Sequence, residues 1–97
     1  MTTVPFHIPP GLEHLLPMFQ VEMKKDLGIL STVLVETPDL LAEHIHAMRG
    51  KCGLFGEDVL YGLLEKLDCE FPDNVPQIMA DISGRIREIC AYSGPAT

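Results

Sequence analysis

Apolar residues recur along this chain at three- and four-residue spacing in four separate stretches, and the prolines lie between these stretches or in their first turns. Such spacing lines up one side of an α-helix, whereas a half-buried strand would alternate at every second residue. The pattern predicts an all-α fold. We expect an up-down four-helix bundle with a short N-terminal capping helix.

Start signals at several positions set the predicted helix bounds. Proline is tolerated at a first helical position, so Pro17 can begin one helix. Thr37, Pro38 and Asp39 supply a cap, a first-turn proline and a first-turn acid for the next. Asn74 is the predicted cap of the last helix. The predicted bounds are 12–16 for the short helix and 17–35, 37–53, 57–69 and 75–92 for the long ones.

The chain has 97 residues, enough for one domain with a single core. We expect that domain to span 1–97, with an extended N-terminus at 1–11 and a loose tail at 93–97.

The formal net charge of -7 argues against nucleic acid and anionic membranes as partners, because both attract basic surfaces. No apolar run reaches the roughly 18–20 residues of a membrane-spanning helix, and the first residues lack a signal-peptide pattern. A monomeric and cytoplasmic protein is expected; a free-standing protein is favoured, but a piece of a larger protein stays open.

The cysteines Cys52, Cys69 and Cys90 are odd in number and widely spaced. They match neither the paired spacing of a zinc site nor the dense framework of a disulfide-rich secreted domain. We therefore expect free thiols, with Cys52 and Cys90 packed as small hydrophobic residues.

Two histidines of the third predicted helix face opposite sides. At about 100° per residue, His44 lies roughly 160° from His46. We expect His44, on the apolar arc, to be packed with one ring nitrogen hydrogen-bonded. The apolar arc comprises Leu40, Leu41, Ile45, Met48, Cys52 and Phe55. The arc around His46 comprises Ala42, Glu43, Arg49, Gly50 and Gly53.

The residues around His46 leave room for another protein to approach. Gly50 and Gly53 each cost about 1 kcal/mol relative to alanine in a helix interior, a loss that a merely solvated surface would not offset. Without side chains there, a second protein could come within bonding distance of the imidazole. Arg49 and Lys51 add positive charge to an acidic chain, which would help to hold a phosphoryl group or steer an acidic partner.

Residues 46–56 resemble the motif of histidine-containing phosphotransfer (HPt) domains, including the first domain of chemotaxis histidine kinases. The motif is histidine, any residue, an aliphatic residue, lysine or arginine, and glycine, followed further on by leucine or phenylalanine with another glycine. The run from His46 to Gly50 and the pair Phe55-Gly56 match it at every position, with arginine in place of the commoner lysine. The leucine-glutamate pair that the family tends to show downstream corresponds to Leu67-Asp68.

This resemblance implies that His46 is phosphorylated and exchanges phosphoryl groups with aspartates of response-regulator receiver domains, or with a histidine kinase. Neutral imidazole is a nucleophile at cytoplasmic pH. Phosphoryl transfer usually needs Mg²⁺ held by carboxylates, and the sequence offers no carboxylate cluster suited to that ion. The metal would then come from the partner. The chain would be a phosphocarrier rather than an enzyme, with no cofactor or metal of its own.

Antiparallel pairing of neighbouring helices places further residues beside His46. We expect Glu65 or Asp68 to hold its Nδ1–H and leave Nε2 as the nucleophile. Gly28 should lie opposite His46, with Lys24 one turn along. The predicted site comprises His46, Arg49, Gly50, Glu65 and Asp68, with Gly28, Lys24, Ala42, Lys51 and Gly53 as partner-binding residues.

Two other classes of protein stay open at this point. One is a receiver-binding interaction module that lacks phosphotransfer, which an intact His46 disfavours. The other is a metal-binding four-helix bundle, which needs Glu-x-x-His pairs on inward faces. Glu43 precedes His46 at that spacing but on the exposed arc, and the sequence offers no second pair.

Overall fold

Four α-helices dominate the computed structural model of this chain, which describes residues 5–93. They are α1 (Leu16–Glu36), α2 (Leu41–Leu54), α3 (Asp58–Glu70) and α4 (Val75–Ala91), and two 3₁₀ turns cover Glu13–Leu15 and Pro38–Leu40. No strand occurs within residues 5–93. In the same part of the chain, no helix is both long enough and apolar enough to cross a membrane. The all-α prediction is confirmed.

The helix ends lie close to the predicted ones, with one difference in the third predicted helix. Its first turn is the 3₁₀ turn Pro38–Leu40, and α2 itself begins at Leu41. The predicted short helix 12–16 is the 3₁₀ turn Glu13–Leu15, which runs directly into α1. The parts of the terminal predictions that fall on 1–4 and 94–97 lie outside the described residues.

The core is one continuous apolar cluster to which all four helices contribute. α1 packs against α2 and α4, and α3 also packs against α2 and α4, so the contacts form a ring around the core. Burial of each large apolar side chain stabilises the fold by about 1.5–3 kcal/mol. The fully buried side chains include Met23, Leu30, Ile45, Met48, Leu60, Leu64, Leu67, Ile78, Ile82 and Ile89.

The N-terminal segment packs two apolar side chains, Phe6 and Ile8, onto one end of the helices. The ring of Phe6 stacks on Phe19 with 6.1 Å between centroids and meets Tyr92 edge-on at 5.1 Å. Phe19 in turn stacks on Phe55 at 4.2 Å. These aromatic contacts tie the segment to α1, to the residue after α4 and to the connection between α2 and α3.

Thr37 and Asn74 occupy the predicted cap positions, but neither side chain makes a capping hydrogen bond. The backbone N–H of Thr37 donates to Val33 O at 3.0 Å and so ends α1, and its side chain makes no capping hydrogen bond. Asn74 precedes α4 in the left-handed conformation, with φ at 57°. A capping residue normally has an extended backbone. The Asn74 amide instead donates to Glu70 Oε1 at 2.9 Å.

A buried ion pair joins the start of α3 to α4. The Glu57 side chain caps α3 by accepting from Leu60 N at 2.8 Å, and it also accepts from Arg85 Nε at 2.8 Å and from Arg85 Nη2. Each of the two charged side chains is only 3% exposed. Arg85 further donates to Glu88 Oε2 at 3.1 Å. The hydrogen bonds to Glu57 raise the pKa of Arg85, although burial opposes that shift.

The three cysteines are free thiols, as predicted. Cys52 is fully buried in the core, and this burial raises the pKa of its thiol to about 12. Cys90 is half-buried against the core, and its Sγ donates to Gln20 O at 3.6 Å. Cys69 is exposed.

Replacing Arg85 with methionine should lower the free energy of unfolding by about 3–5 kcal/mol, because Glu57 would stay buried without its cation. Urea denaturation followed by circular dichroism measures the loss. The control is the double variant Glu57→Gln/Arg85→Met, which removes both charges and keeps an oxygen that can cap Leu60 N. It should recover a large part of the stability. A double variant less stable than Arg85→Met alone would contradict this account.

Candidate functional site on helix α2

His44 lies at the boundary between α2 and α1. Its side chain is half-buried, and its Nε2 is 3.1 Å from the Asp26 carbonyl oxygen. Because a carbonyl oxygen can only accept, Nε2 carries the hydrogen in this contact. The prediction of a packed histidine with one hydrogen-bonded ring nitrogen is confirmed.

His46 lies on the exposed side of α2, and its side chain makes no hydrogen bond with any residue of the described range 5–93. It lines an open cleft of about 230 Å³ together with Arg49, Gly50, Gly53 and Tyr61. The imidazole is therefore accessible from solvent and flanked by small residues on its own helix. Four of the five lining residues lie on the arc that helical spacing predicted around His46.

Gly50 and Gly53 leave open surface beside His46. Both are exposed, and a Cβ atom built at either position would meet no heavy atom within 4 Å apart from its chain neighbours and the backbone of its own helix. No packing contact within the described residues therefore requires glycine at these positions. The exposed positions Gly28 on α1 and Gly62 on α3 are equally open.

Arg49 lies across the aromatic ring of Tyr61 on α3. Its Cζ is 4.6 Å from the ring centroid, and its Nη2 donates to Tyr61 Oη at 3.0 Å. That hydrogen bond raises the pKa of Arg49, although burial opposes the shift. Tyr61 was not among the predicted site residues. It precedes Glu65 by one helical turn, so the helix pairing that placed Glu65 near α2 could have found it.

Glu65 and Asp68 do not make the hydrogen bond to His46 that was expected of one of them. Glu65 Oε2 accepts instead from Arg49 Nη2 at 3.4 Å, and the charge of Asp68 also acts on Arg49. Arg49 has a longer side chain than histidine and a permanent positive charge, so it is the stronger attractor for carboxylates on α3. Within the described residues, therefore, no carboxylate accepts a hydrogen bond from His46 Nδ1, and the expected orientation of the imidazole ring is absent.

Lys51 points toward α1. Its Nζ donates to Asp26 Oδ2 at 2.8 Å and to Glu22 Oε2 at 3.3 Å, and the Asp26 side chain is buried. These carboxylates compensate the charge of Lys51, and the contact links α2 to α1. Lys51 does not line the cleft at His46, where Arg49 provides the cation. Its predicted role in partner binding stays a prediction.

The other predicted partner-binding residues, Lys24, Gly28 and Ala42, are all exposed. Two large apolar side chains on α1 share the side of the helix that carries Gly28, since each lies seven residues from it: Val21 at 66% and Val35 at 83% exposure. On α2, Leu54 follows Gly53 and is 65% exposed. The exposed sides of α1 and α2 therefore combine small and apolar residues, which is a composition typical of contact surfaces.

Neither a protein-family model, nor a curated protein, nor a solved structure matches this chain. Within residues 5–93, no group of three or more His, Cys, Asp and Glu side chains is placed to hold a metal ion. Any functional assignment therefore depends on the geometry and chemistry of His46 and its neighbours.

Proposed function

We propose that this chain is a histidine phosphotransfer protein, in which His46 carries a phosphoryl group between a histidine kinase or receiver aspartate and another receiver aspartate in two-component signalling. The proposal depends most on one observation. His46 stands exposed in a cleft formed with Arg49, Gly50, Gly53 and Tyr61, while the neighbouring His44 is bonded into the structure. The resemblance of residues 46–56 to the HPt motif supports the same assignment.

The arrangement of the helices is compatible with this class of protein. Contacts between α1 and α2, α2 and α3, and α3 and α4, together with the contact of α1 with α4, fit an up-down four-helix bundle. In that arrangement the 3₁₀ turn Glu13–Leu15 would cap one end. His46 would lie on the outer surface of the bundle, where a second folded domain can reach it.

The proposed reaction needs only a nucleophile and a cation from this chain. An unprotonated ring nitrogen of His46 attacks the phosphorus of an aspartyl phosphate. A P–N bond forms as the P–O bond to the aspartate breaks, and the carboxylate leaves with the electron pair. Transfer to the next receiver reverses these steps. Arg49, three residues after His46 on the same helix, would donate hydrogen bonds to the phosphoryl oxygens.

The acidic pocket of the receiver would supply the Mg²⁺ that phosphoryl transfer uses. Three carboxylates close to this part of the chain are paired with cations: Asp26 with Lys51, Glu57 with Arg85 and Glu65 with Arg49. We therefore infer that this protein acts as a phosphocarrier, whose catalytic groups belong to the kinase or receiver. The exposed small and apolar residues of α1 and α2 would contact that domain.

Incubation with a panel of phosphorylated receiver domains should place acid-labile, base-stable phosphate on this chain. His46→Gln should abolish labelling with little loss of stability, because the side chain makes no internal hydrogen bond. His44→Gln should keep the labelling and lose stability, because it alters the contact with Asp26 O. The assignment is wrong if His44→Gln is folded but unlabelled while His46→Gln is labelled normally. Binding of receivers without labelling would favour the interaction-module alternative.

Gly50→Ala should raise the free energy of unfolding by about 1 kcal/mol, since the position is helical, exposed and open. Gly50→Gln should slow transfer, because its side chain would occupy the approach to His46. Gly62→Ala and Gly62→Gln are matched controls on α3, equally open but not part of the cleft. They should leave the transfer rate unchanged. If Gly50→Gln transfers at the parental rate, the idea that glycine is needed here to leave the approach to His46 open is refuted.

Arg49→Ala should slow transfer more at low than at high ionic strength, because salt screens charges separated by more than about 8–10 Å. Arg49→Lys should retain most of the rate. Lys51→Ala removes the same charge from a position outside the cleft and should change the salt dependence less. Stopped-flow or quench-flow transfer at several salt concentrations provides the measurement. Identical salt dependence of Arg49→Ala and the parent would show that this charge does not guide docking.

A further inference from the structure

The two cations closest to His46 in the sequence are held by chemically different groups. Lys51 is bonded to two carboxylates, Asp26 at 2.8 Å and Glu22 at 3.3 Å, so its charge is compensated within the chain. Arg49 is held mainly by Tyr61, through the ring face and the hydroxyl. A phenol is neutral at physiological pH and can hold a cation without cancelling its charge.

The carboxylate contact of Arg49 is weaker than its contact with Tyr61. Glu65 Oε2 lies 3.4 Å from Nη2, and the Glu65 side chain is 56% exposed. Exposed ion pairs of this kind contribute little, because water screens them and both side chains lose freedom. Nη2 is closer to Tyr61 Oη, at 3.0 Å. The neutral residue therefore fixes the position of the guanidinium.

A free donor of Arg49, Nη1, is consistent with an anion as a further ligand. Nε also has no hydrogen-bond acceptor within residues 5–93, but it is sealed from solvent and out of reach of a ligand. Nη1 makes no hydrogen bond within the same range. The side chain is nonetheless 23% exposed and lines the cleft with His46. An ordered guanidinium whose charge is only partly compensated, and which has an unused terminal nitrogen, is suited to charge-assisted hydrogen bonds with phosphoryl oxygens.

We infer that Tyr61 is a positioning residue for phosphotransfer, whose ring and hydroxyl hold the Arg49 guanidinium beside His46 so that its charge meets the phosphoryl group. The inference rests on the proposed function and adds to it the group that orders the cation. An arginine side chain has several rotatable bonds, and restricting them costs entropy. If Tyr61 holds the side chain in place before the phosphoryl group arrives, that cost no longer adds to the activation barrier of transfer. Arg49 stays protonated throughout, and Tyr61 touches neither the phosphorus nor the attacking nitrogen.

A double-mutant cycle on the full chain tests this role. Tyr61→Leu should slow transfer from a phosphorylated receiver by about tenfold, because it removes both the ring and the hydroxyl. Tyr61→Phe keeps the ring and should lie between Tyr61→Leu and the parent. In the Arg49→Ala background, Tyr61→Leu should cause no further loss, because the residue it positions is gone. The control Leu63→Ala alters a half-buried residue of α3 outside the cleft and should transfer at the parental rate.

The outcomes separate this inference from the proposed function. Labelling of the parent at His46, with non-additive effects of Tyr61→Leu and Arg49→Ala, supports both. Labelling of the parent, with the same slowing by Tyr61→Leu in both backgrounds, overturns the positioning role and leaves phosphotransfer intact. If Tyr61→Leu transfers at the parental rate, the positioning role is likewise overturned and phosphotransfer is left intact. If Tyr61→Leu does not fold, the cycle with Tyr61→Phe decides by the same criterion. Failure to label the parent overturns the proposed function, and the role of Tyr61 with it.

Discussion

The rotation of α2 about its own axis is the constraint on which the candidate site depends. Ile45, Met48 and Cys52 are completely buried and follow one another at spacings of three and four residues. Exposing any of the larger ones would cost about 1.5–3 kcal/mol, so the helix has one strongly preferred orientation. That orientation places His46 in solvent and turns His44 toward the backbone of α1. The exposure of His46 is thus a consequence of core packing and needs no interaction of its own.

The same orientation distributes the two cations of α2 between its neighbours. Lys51 reaches α1, where the buried carboxylate of Asp26 requires a partner. Arg49 reaches α3 and meets Tyr61 and Glu65. One positive charge therefore satisfies a buried acid, while the other remains at the cleft of His46. An acidic chain of net charge -7 in this way keeps a local cation at the cleft of His46, which the proposed function would use for a phosphoryl group.

Features that depend on local spacing could be predicted from the sequence, and features that depend on contacts between helices were predicted less well. The all-α fold, most helix ends and the opposite orientation of His44 and His46 follow from a periodicity of 3.6 residues. The pairing of Glu57 with Arg85 joins different helices and depends on how α3 and α4 are rotated toward each other. The helical wheel of a single helix contains no such information. Thr37 both ends α1 and precedes the 3₁₀ turn Pro38–Leu40, a double role that the pattern of one helix does not predict.

Glu65 illustrates how a correct location can accompany an incorrect contact. Helix pairing placed it on the side of α3 that faces α2, but a permanently charged arginine is a stronger attractor for a carboxylate than a histidine. In the free chain His46 consequently has no hydrogen bond within residues 5–93 to orient its ring. In the proposed reaction the docked receiver would have to supply that orientation, together with the acidic pocket. Under this proposal, a carrier that lacks its own orienting group would exchange phosphate only when a domain that orients His46 is bound, and this dependence would protect the phosphorylated histidine from unspecific transfer.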